Sequence, residues 1–199
     1  MTAQVGDQFK FKGGKHEIVA ISEPIDFHPE TYGIIPESIC TACWNGYWCE
    51  YEISDKGITL NNLYINAKDD YYPSINGVVP VSTNNQKNYQ YMGHHLYKGI
   101  NLSINYTGKI VTGSDFLREY YIHMGYQRAW AYKILTEFVF ENGTLKQTID
   151  HSKVAEQLRE QIDEMTRNPQ KTSKITDKEI SNFIDESFSL DIKKKTWWI

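Results

Sequence analysis

The chain has 199 residues and a mass of 23.2 kDa, with 40% apolar, 23% charged and 14% aromatic residues. A chain of this length buries roughly 70% of its unfolded surface on folding, so it needs neither a disulfide nor a metal for stability. The composition is too aromatic for a disordered chain and, at a mean hydropathy of -0.54, too polar for a membrane protein. The net charge of -4 comes with no basic segment, which argues against nucleic acid as a partner.

The N-terminal sequence, which lacks the features of a secretory signal, and the cysteine pattern indicate a reducing compartment. Met1 to Phe11 alternates polar and apolar residues and lacks the apolar core of a secretory signal. No apolar run approaches the ~20 residues that cross a bilayer. The three cysteines, an odd number, lie close together in the sequence, whereas a secreted protein more often carries an even, dispersed set. We therefore expect a cytoplasmic protein with no membrane partner.

Composition changes near residue 150 and divides the chain into two parts. All 14 tyrosines lie at or before Tyr132, and all 13 glycines lie at or before Gly143. Tyrosine- and glycine-rich sequence with short alternating runs is typical of strands and turns, and the charged, glycine-free remainder is typical of helices. The sequence predicts an α+β protein, with an antiparallel β-barrel or sandwich over residues 1–150 and a helical C-terminal extension over residues 151–199 packed on it.

The first part contains a tight hairpin signal at Asn45-Gly46, a dipeptide suited to a turn in which both central residues have positive φ. This turn would pair Trp44 with Tyr47 and Cys43 with Trp48. One face of the hairpin would then be apolar and point inward, with Cys40, Ala42, Trp44, Tyr47, Cys49, Tyr51 and Ile53 on it. Cys43 and Trp48 would lie on the opposite face.

Two half-repeats, over residues 1–80 and 90–150, are suggested by a recurring pattern. The hairpin pattern from Glu50 to Leu60 parallels that from Glu137 to Leu145, and Phe11-Lys12-Gly13 parallels Tyr97-Lys98-Gly99. The repeat predicts two halves that each run hairpin, insert, hairpin. The alternative is that unrelated hairpins simply share aromatic strands and glycine turns.

The second half contains further local signals. Ser114 and Asp115 suit a helix start and Gly125 suits its end, so we predict a short helix from Asp115 to Met124. Asn142-Gly143 predicts another tight hairpin turn.

Two amphipathic helices are predicted in the C-terminal extension. The first runs from Lys153 to Arg167 and carries an apolar stripe of Val154, Leu158, Ile162 and Met165. The second starts at a capping box and lines one face with Ile180, Phe183, Ile184 and Phe188. The chain ends in Trp197-Trp198-Ile199, which would be costly to leave in water, so we expect it to dock on its own chain or on a second copy. A homo-oligomer formed through these helices and Trp197-Trp198 is consistent with this pattern.

The cysteines offer a metal site as one interpretation. Cys40, Cys43 and Cys49, with His28 or His16, are residue types that bind tetrahedral zinc. The predicted hairpin opposes this, because it turns Cys43 away from the other two thiols. Cysteine acting as a small buried hydrophobe is the interpretation we favour, and we predict no metal and no cofactor.

A histidine and two glutamates offer a small-molecule or enzymatic site. His123 would lie one helical turn from Glu119, and with Glu137 these residues could line a pocket in the β-rich part. The alternative is structural, since a histidine in the last turn of a helix interacts favourably with the helix dipole. The sequence contains no phosphate-binding glycine loop and no hydrolase or metalloprotease motif.

An aromatic segment offers a protein-binding surface. Tyrosine, tryptophan and arginine anchor interfaces because they bury much area at little cost in rotamer entropy. The candidate binding residues are Tyr120, Tyr121, His123, Tyr126, Gln127, Arg128 and Trp130. The expected function is therefore a non-catalytic intracellular protein-binding module, such as an inhibitor or immunity-type antagonist of another protein. The pocket near His123 and Glu137 and the zinc-stabilised module remain as alternatives.

Overall fold

A computed structural model describes residues 5–83, 93–121 and 127–167, and these residues form a strand-rich fold. The strands are β1 Gln8–Phe11, β2 Gly14–Ile21, β3 Tyr47–Ser54, β4 Gly57–Ile65, β5 Val81–Ser82, β6 His95–Ile104, β7 Gly108–Phe116, β8 Tyr132–Glu141 and β9 Thr144–Asp150. An α-helix, α1, follows over Ser152–Arg167. Single 3₁₀ turns occupy Pro29–Tyr32, Lys68–Asp70, Arg118–Tyr120 and Ala129–Ala131.

The described strands belong to one sheet in the order β5-β6-β4-β3-β1-β2-β7-β8-β9. Neighbouring strands are antiparallel except β1 and β3, which are parallel. The α+β class dominated by a sheet is therefore confirmed. The expected barrel or sandwich is not confirmed, because the described strands form one sheet that is not closed.

The sheet curls around a core to which both of its halves contribute. Buried side chains come from β1, β3, β4, β6, β7 and β8, among them Phe9, Tyr51, Leu60, Tyr97, Ile110 and Phe138. A Cβ added at Gly57, the first residue of β4 after the β3–β4 turn, would lie 1.8 Å from the carbonyl oxygen of Gly143 in the β8–β9 turn. The curl therefore brings the two turns into contact, and only a glycine fits at Gly57. In the core itself, burying one large apolar side chain such as Leu60 or Phe138 stabilises the fold by about 1.5–3 kcal/mol.

The two predicted hairpin turns have opposite outcomes. Asn142 and Gly143 have φ values of 49° and 75° and join β8 to β9, so this prediction is confirmed. The hairpin at Asn45-Gly46 is wrong, because of these two residues only Gly46 has a positive φ and residues 40–44 are not a strand. The physical reason is that the groups this hairpin would pair have other partners: the Cys49 amide donates to the Asp7 carboxylate, and the Ala42 carbonyl accepts from the Val5 amide. The expected pairs of Trp44 with Tyr47 and Cys43 with Trp48 do not form.

The predicted inward face holds only within β3. Cys49, Tyr51 and Ile53 are buried in the main core and Tyr47 packs against it. Trp44, which precedes the strand, is 53% exposed. Gly46 is enclosed instead, because a Cβ there would lie 2.6 Å from the backbone of Glu37.

The segments paralleled in the suggested repeat take partly different structures, and the repeat itself stays a prediction. Both of the paralleled hairpins form, as β3–β4 and β8–β9. Lys12-Gly13 forms the turn between β1 and β2, whereas Gly99 lies inside β6 beside a β-bulge. The second pair of matching segments therefore plays two different structural roles.

The predicted helix from Asp115 to Met124 is wrong over its described residues. Ser114 and Phe116 pair with Ile134 and Tyr132 of β8, so the sheet takes the backbone groups that a helix would need. A single 3₁₀ turn follows at Arg118–Tyr120. Residues 122–126 lie outside the described residues.

The first predicted C-terminal helix is confirmed as α1. Its residues Ala155, Leu158 and Ile162 pack with Val111 and Leu135 on the outer face of the sheet. No helix in the described part of the chain is long and apolar enough to cross a membrane. The second predicted helix and Trp197-Trp198 lie outside the described residues.

Candidate functional site

The segment between β7 and β8, which carries the predicted binding residues, is packed against α1. The Tyr120 hydroxyl lies 3.1 Å from both carboxylate oxygens of Asp163 and donates to that carboxylate. The Arg159 guanidinium donates to the carbonyl oxygens of Trp130, at 3.2 Å, and Tyr132, at 2.8 Å. Two of the predicted binding residues therefore help to hold the helix on the sheet.

The remaining predicted binding residues differ in exposure. Tyr121 is 44% exposed, and its ring meets Phe116 edge to face at 6.4 Å between centroids. Gln127 and Arg128 are half-buried. His123 and Tyr126 lie outside the described residues. Tyr121 is thus the described member of the set with most surface for a partner.

Glu137 is buried in a charged cluster at the start of α1. One of its carboxylate oxygens lies 2.8 Å from Nε2 of His151, and the other lies 3.5 Å from Nζ of Lys109. The His151 amide also donates to the carbonyl oxygen of Leu135. The described partners of Glu137 are therefore not the predicted His123 and Glu119, and Glu119 is exposed on its 3₁₀ turn.

In this Glu137 cluster His151 is a candidate base and Glu137 is a carboxylate that orients it, as in acid–base sites. The Glu137 side chain is only 4% exposed, however, and its two carboxylate oxygens are occupied by contacts with Lys109 and His151 within the fold. Such a pair also fixes the helix start to β8, and we assign it this structural role. Sequence reasoning missed His151 and Lys109 because their approach to Glu137 depends on strand register.

The three cysteines are divided between two clusters on opposite faces of the sheet. Cys49 is fully buried in the main core. Cys43 is buried with Trp48, Tyr64 and Leu96, and Cys40 packs against them; we call this group the Trp48 cluster. The expectation that Cys40 shares a face with Cys49 is therefore wrong, because the turn at residues 40–43 replaces the expected strand.

The same division separates the side chains that the zinc interpretation would group. Within the described residues no three histidine, cysteine or acidic side chains are grouped as metal ligands. His28 lies 3.6 Å from the Asp26 carboxylate at the surface, and His16 Nδ1 lies 3.1 Å from the Thr112 hydroxyl. Neither histidine joins the thiols.

An aspartate that sequence reasoning did not single out lies beside Cys49. The Cys49 amide donates to a carboxylate oxygen of Asp7 at 2.7 Å. Burial raises the pKa of Asp7 to about 6, against the lowering effect of that hydrogen bond. Burial first, and the Asp7 charge second, raise the pKa of the Cys49 thiol well above its usual range. Cys49 is therefore a protonated, unreactive thiol at neutral pH.

Four large apolar side chains are exposed where β3 begins and β4 ends. We call them the apolar loop cluster: Ile35, Ile39, Trp44 and Tyr71, each between 40% and 61% exposed. Their three segments are joined by backbone hydrogen bonds. Lys68 donates to the carbonyl of Ile35, Glu37 donates to that of Asn66, and Asn66 donates to that of Gly46. The four exposed side chains are thus carried on segments that backbone hydrogen bonds hold together.

The exposed charged residues beside the apolar loop cluster are mostly acidic. Glu37, Asp69 and Asp70 are exposed beside a single exposed lysine, Lys68. Asp69 and Asp70 have positive φ values of 64° and 51°, a conformation that costs most residues free energy. The backbone before Tyr71 is therefore held in a specific, strained shape with an acidic surface.

Comparison of the chain with models of known families, with curated proteins and with solved structures gave no match. The function therefore has to be argued from the chain's own geometry.

Proposed function

We propose that the protein is a non-catalytic protein-binding module that docks another protein on the apolar loop cluster. The observation that carries the proposal is the exposure of four large apolar side chains on segments that backbone hydrogen bonds join together. Single exposed apolar residues are normal, but a group of them with a polar rim marks an interaction surface. Trp44 and Tyr71 are also of the residue types that dominate binding energy at interfaces.

The acidic rim favours a partner that carries basic residues around its own apolar contact. Three exposed carboxylates, on Glu37, Asp69 and Asp70, face a single ammonium, on Lys68. Complementary charge accelerates encounter and is screened by salt. We propose antagonism of the bound protein as the role of this contact, in line with the inhibitor or immunity-type function expected from the sequence.

The test compares the wild-type chain with two double variants, both altered at exposed positions. Trp44→Ser with Tyr71→Ser removes the aromatic part of the apolar loop cluster. Tyr121→Ser with Ile134→Ser removes two exposed apolar side chains elsewhere, and includes a residue of the segment between β7 and β8. Proteins from the source cell that bind immobilised wild type are identified, purified and titrated against all three chains at low and high salt. Circular dichroism and thermal unfolding verify that the variants are folded.

We expect the Trp44/Tyr71 variant to weaken binding at least about tenfold, because truncating an aromatic hot spot costs about 2 kcal/mol or more. The Tyr121/Ile134 variant should bind like wild type, and association should slow as salt increases. Loss of binding only in the Tyr121/Ile134 variant would overturn the proposed surface and support the segment predicted from the sequence. Capture of a second copy of the chain alone would overturn the proposal of a different protein as partner.

A further inference from the structure

Cys40 and Cys43 are brought together by the turn that replaces the expected hairpin strand. The Cys43 amide donates to the carbonyl oxygen of Cys40 at 3.3 Å, so the two cysteines are the first and fourth residues of a hydrogen-bonded turn. The Cα atoms at these positions of a β-turn lie within about 7 Å of each other. A disulfide joins Cα atoms roughly 4.4–6.8 Å apart, a range that overlaps the separation found in such turns.

The turn is held in place and both of its thiols lie on one side. The Ser38 hydroxyl lies 3.1 Å from the carbonyl oxygen of Cys40 and 3.0 Å from that of Cys43. Both cysteine side chains pack in the Trp48 cluster. The two thiols are therefore held near each other by the turn and by the cluster in which they pack.

The two thiols differ in access to solvent. Cys40 is half-buried, whereas Cys43 is 3% exposed. Burial first, and the neighbouring Cys40 second, raise the pKa of Cys43 to about 11. Since the thiolate is the reactive form, a reagent from solution reaches and oxidises Cys40 first.

We propose that Cys40 and Cys43 are an oxidation-sensitive dithiol that closes to an intramolecular disulfide on exposure to a hydroperoxide. The Cys40 thiolate attacks one peroxide oxygen, the O–O bond breaks, and sulfur loses two electrons to form a sulfenic acid while the other oxygen leaves and is protonated to water. Cys43 sulfur then bonds to Cys40 sulfur. The S–O bond breaks, and the hydroxyl group leaves as water with the Cys43 proton. Two thiols and one hydrogen peroxide thus give one disulfide and two waters.

Cys49 supplies a matched control within the same chain. It is fully buried in the main core, on the other face of the sheet from Cys40 and Cys43. Closure should therefore not involve it. The inference depends only on the turn and the Trp48 cluster, so it is independent of the proposed protein-binding function.

The experiment uses the full-length chain, reduced and then treated with a small molar excess of hydrogen peroxide without denaturant. Intact mass is measured before and after treatment, and the remaining thiols are alkylated after unfolding and located by fragmentation. Wild type and Cys49→Ser should each lose two hydrogens, with the bond between Cys40 and Cys43. Cys49→Ala replaces Cys49→Ser if the buried hydroxyl prevents folding.

Cys40→Ser and Cys43→Ser should not lose two hydrogens, and Cys43→Ser should instead accumulate a sulfenic acid at Cys40 that reacts with dimedone. Closure in wild type that requires denaturant would overturn the inference. A bond that includes Cys49, or a product consisting only of disulfide-linked dimers, would overturn it as well.

Discussion

Replacing Asp7 by asparagine isolates the cost of burying a charge beside β3. The asparagine side chain keeps an oxygen to accept the Cys49 amide, which now donates to Asp7 at 2.7 Å. It removes the ionisation that burial disfavours. Because the pKa of Asp7 is raised from 3.8 to about 6, the folded chain binds more protons than the unfolded chain between these pH values. The contribution of Asp7 to stability is therefore greatest below pH 3.8 and is lost as the pH rises through 6.

The size of the effect follows from that shift. One pKa unit corresponds to about 1.4 kcal/mol, so the full shift corresponds to about 3 kcal/mol. Partial exposure of Asp7 lowers this figure, and we expect Asp7→Asn to stabilise the chain by about 1–3 kcal/mol at pH 8. The gain over wild type should shrink towards zero near pH 4.

Urea unfolding followed by tryptophan fluorescence at several pH values between 4 and 8 measures this gain. Asp55→Asn, at an exposed turn position, provides a control whose stability should follow wild type. A difference between Asp7→Asn and wild type that stays constant from pH 4 to pH 8 would refute the reasoning. So would an asparagine variant that is less stable at pH 8.

Three further substitutions test the contacts that hold the outer face of the sheet. Arg159→Ala removes charged hydrogen bonds to two backbone carbonyls and should lower the free energy of unfolding in urea by about 2 kcal/mol. Arg159→Lys should recover a part of this loss, and an unchanged urea midpoint in Arg159→Ala would contradict the contact. Gly113→Ala puts a methyl group 2.3 Å from the Tyr132 ring and should cost about 1–3 kcal/mol in thermal unfolding, a result that equal stability would exclude. Glu137→Gln weakens the contact to His151 and should lower the free energy of unfolding by about 1–3 kcal/mol. Amide hydrogen exchange in the first turn of α1 should also become faster, and unchanged exchange there would show that the pair does not anchor the helix.

Local sequence signals correctly predicted those elements whose neighbours in the fold are also close to them in the sequence. Asn142-Gly143 joins two strands that pair with each other, so its turn preference and the sheet agree. The first C-terminal helix has an apolar stripe at helical spacing and a sheet face to cover. Asn45-Gly46 carries the same turn signal but fails because the Cys49 amide and the Ala42 carbonyl, which its hairpin would pair, bond to Asp7 and Val5 from the start of the chain. Strand order is a long-range property that no dipeptide encodes.

The apolar loop cluster could not be predicted from the sequence, for a related reason. The apolar loop cluster is assembled from two neighbouring segments and from residues 66–71, some thirty positions further on, which hydrogen bonds such as that from Lys68 to Ile35 bring beside them. The aromatic segment between β7 and β8 is continuous in sequence and therefore easy to notice. In the fold, Tyr120 and Trp130 of that segment contact α1.

The Glu137–His151 contact depends on a single extra residue. Counting outward from the Asn142-Gly143 turn without a bulge would place Glu137 opposite Thr148, and His151 would then lie on the opposite face of the sheet. The β-bulge between Val139 and Phe140 shifts the register by one, so Glu137 lies opposite Ile149 instead. His151, two residues further on, thereby shares the face of Glu137 and reaches its carboxylate at 2.8 Å. A reader of the sequence could find this pair only by predicting the bulge, which no glycine or proline at this position indicates.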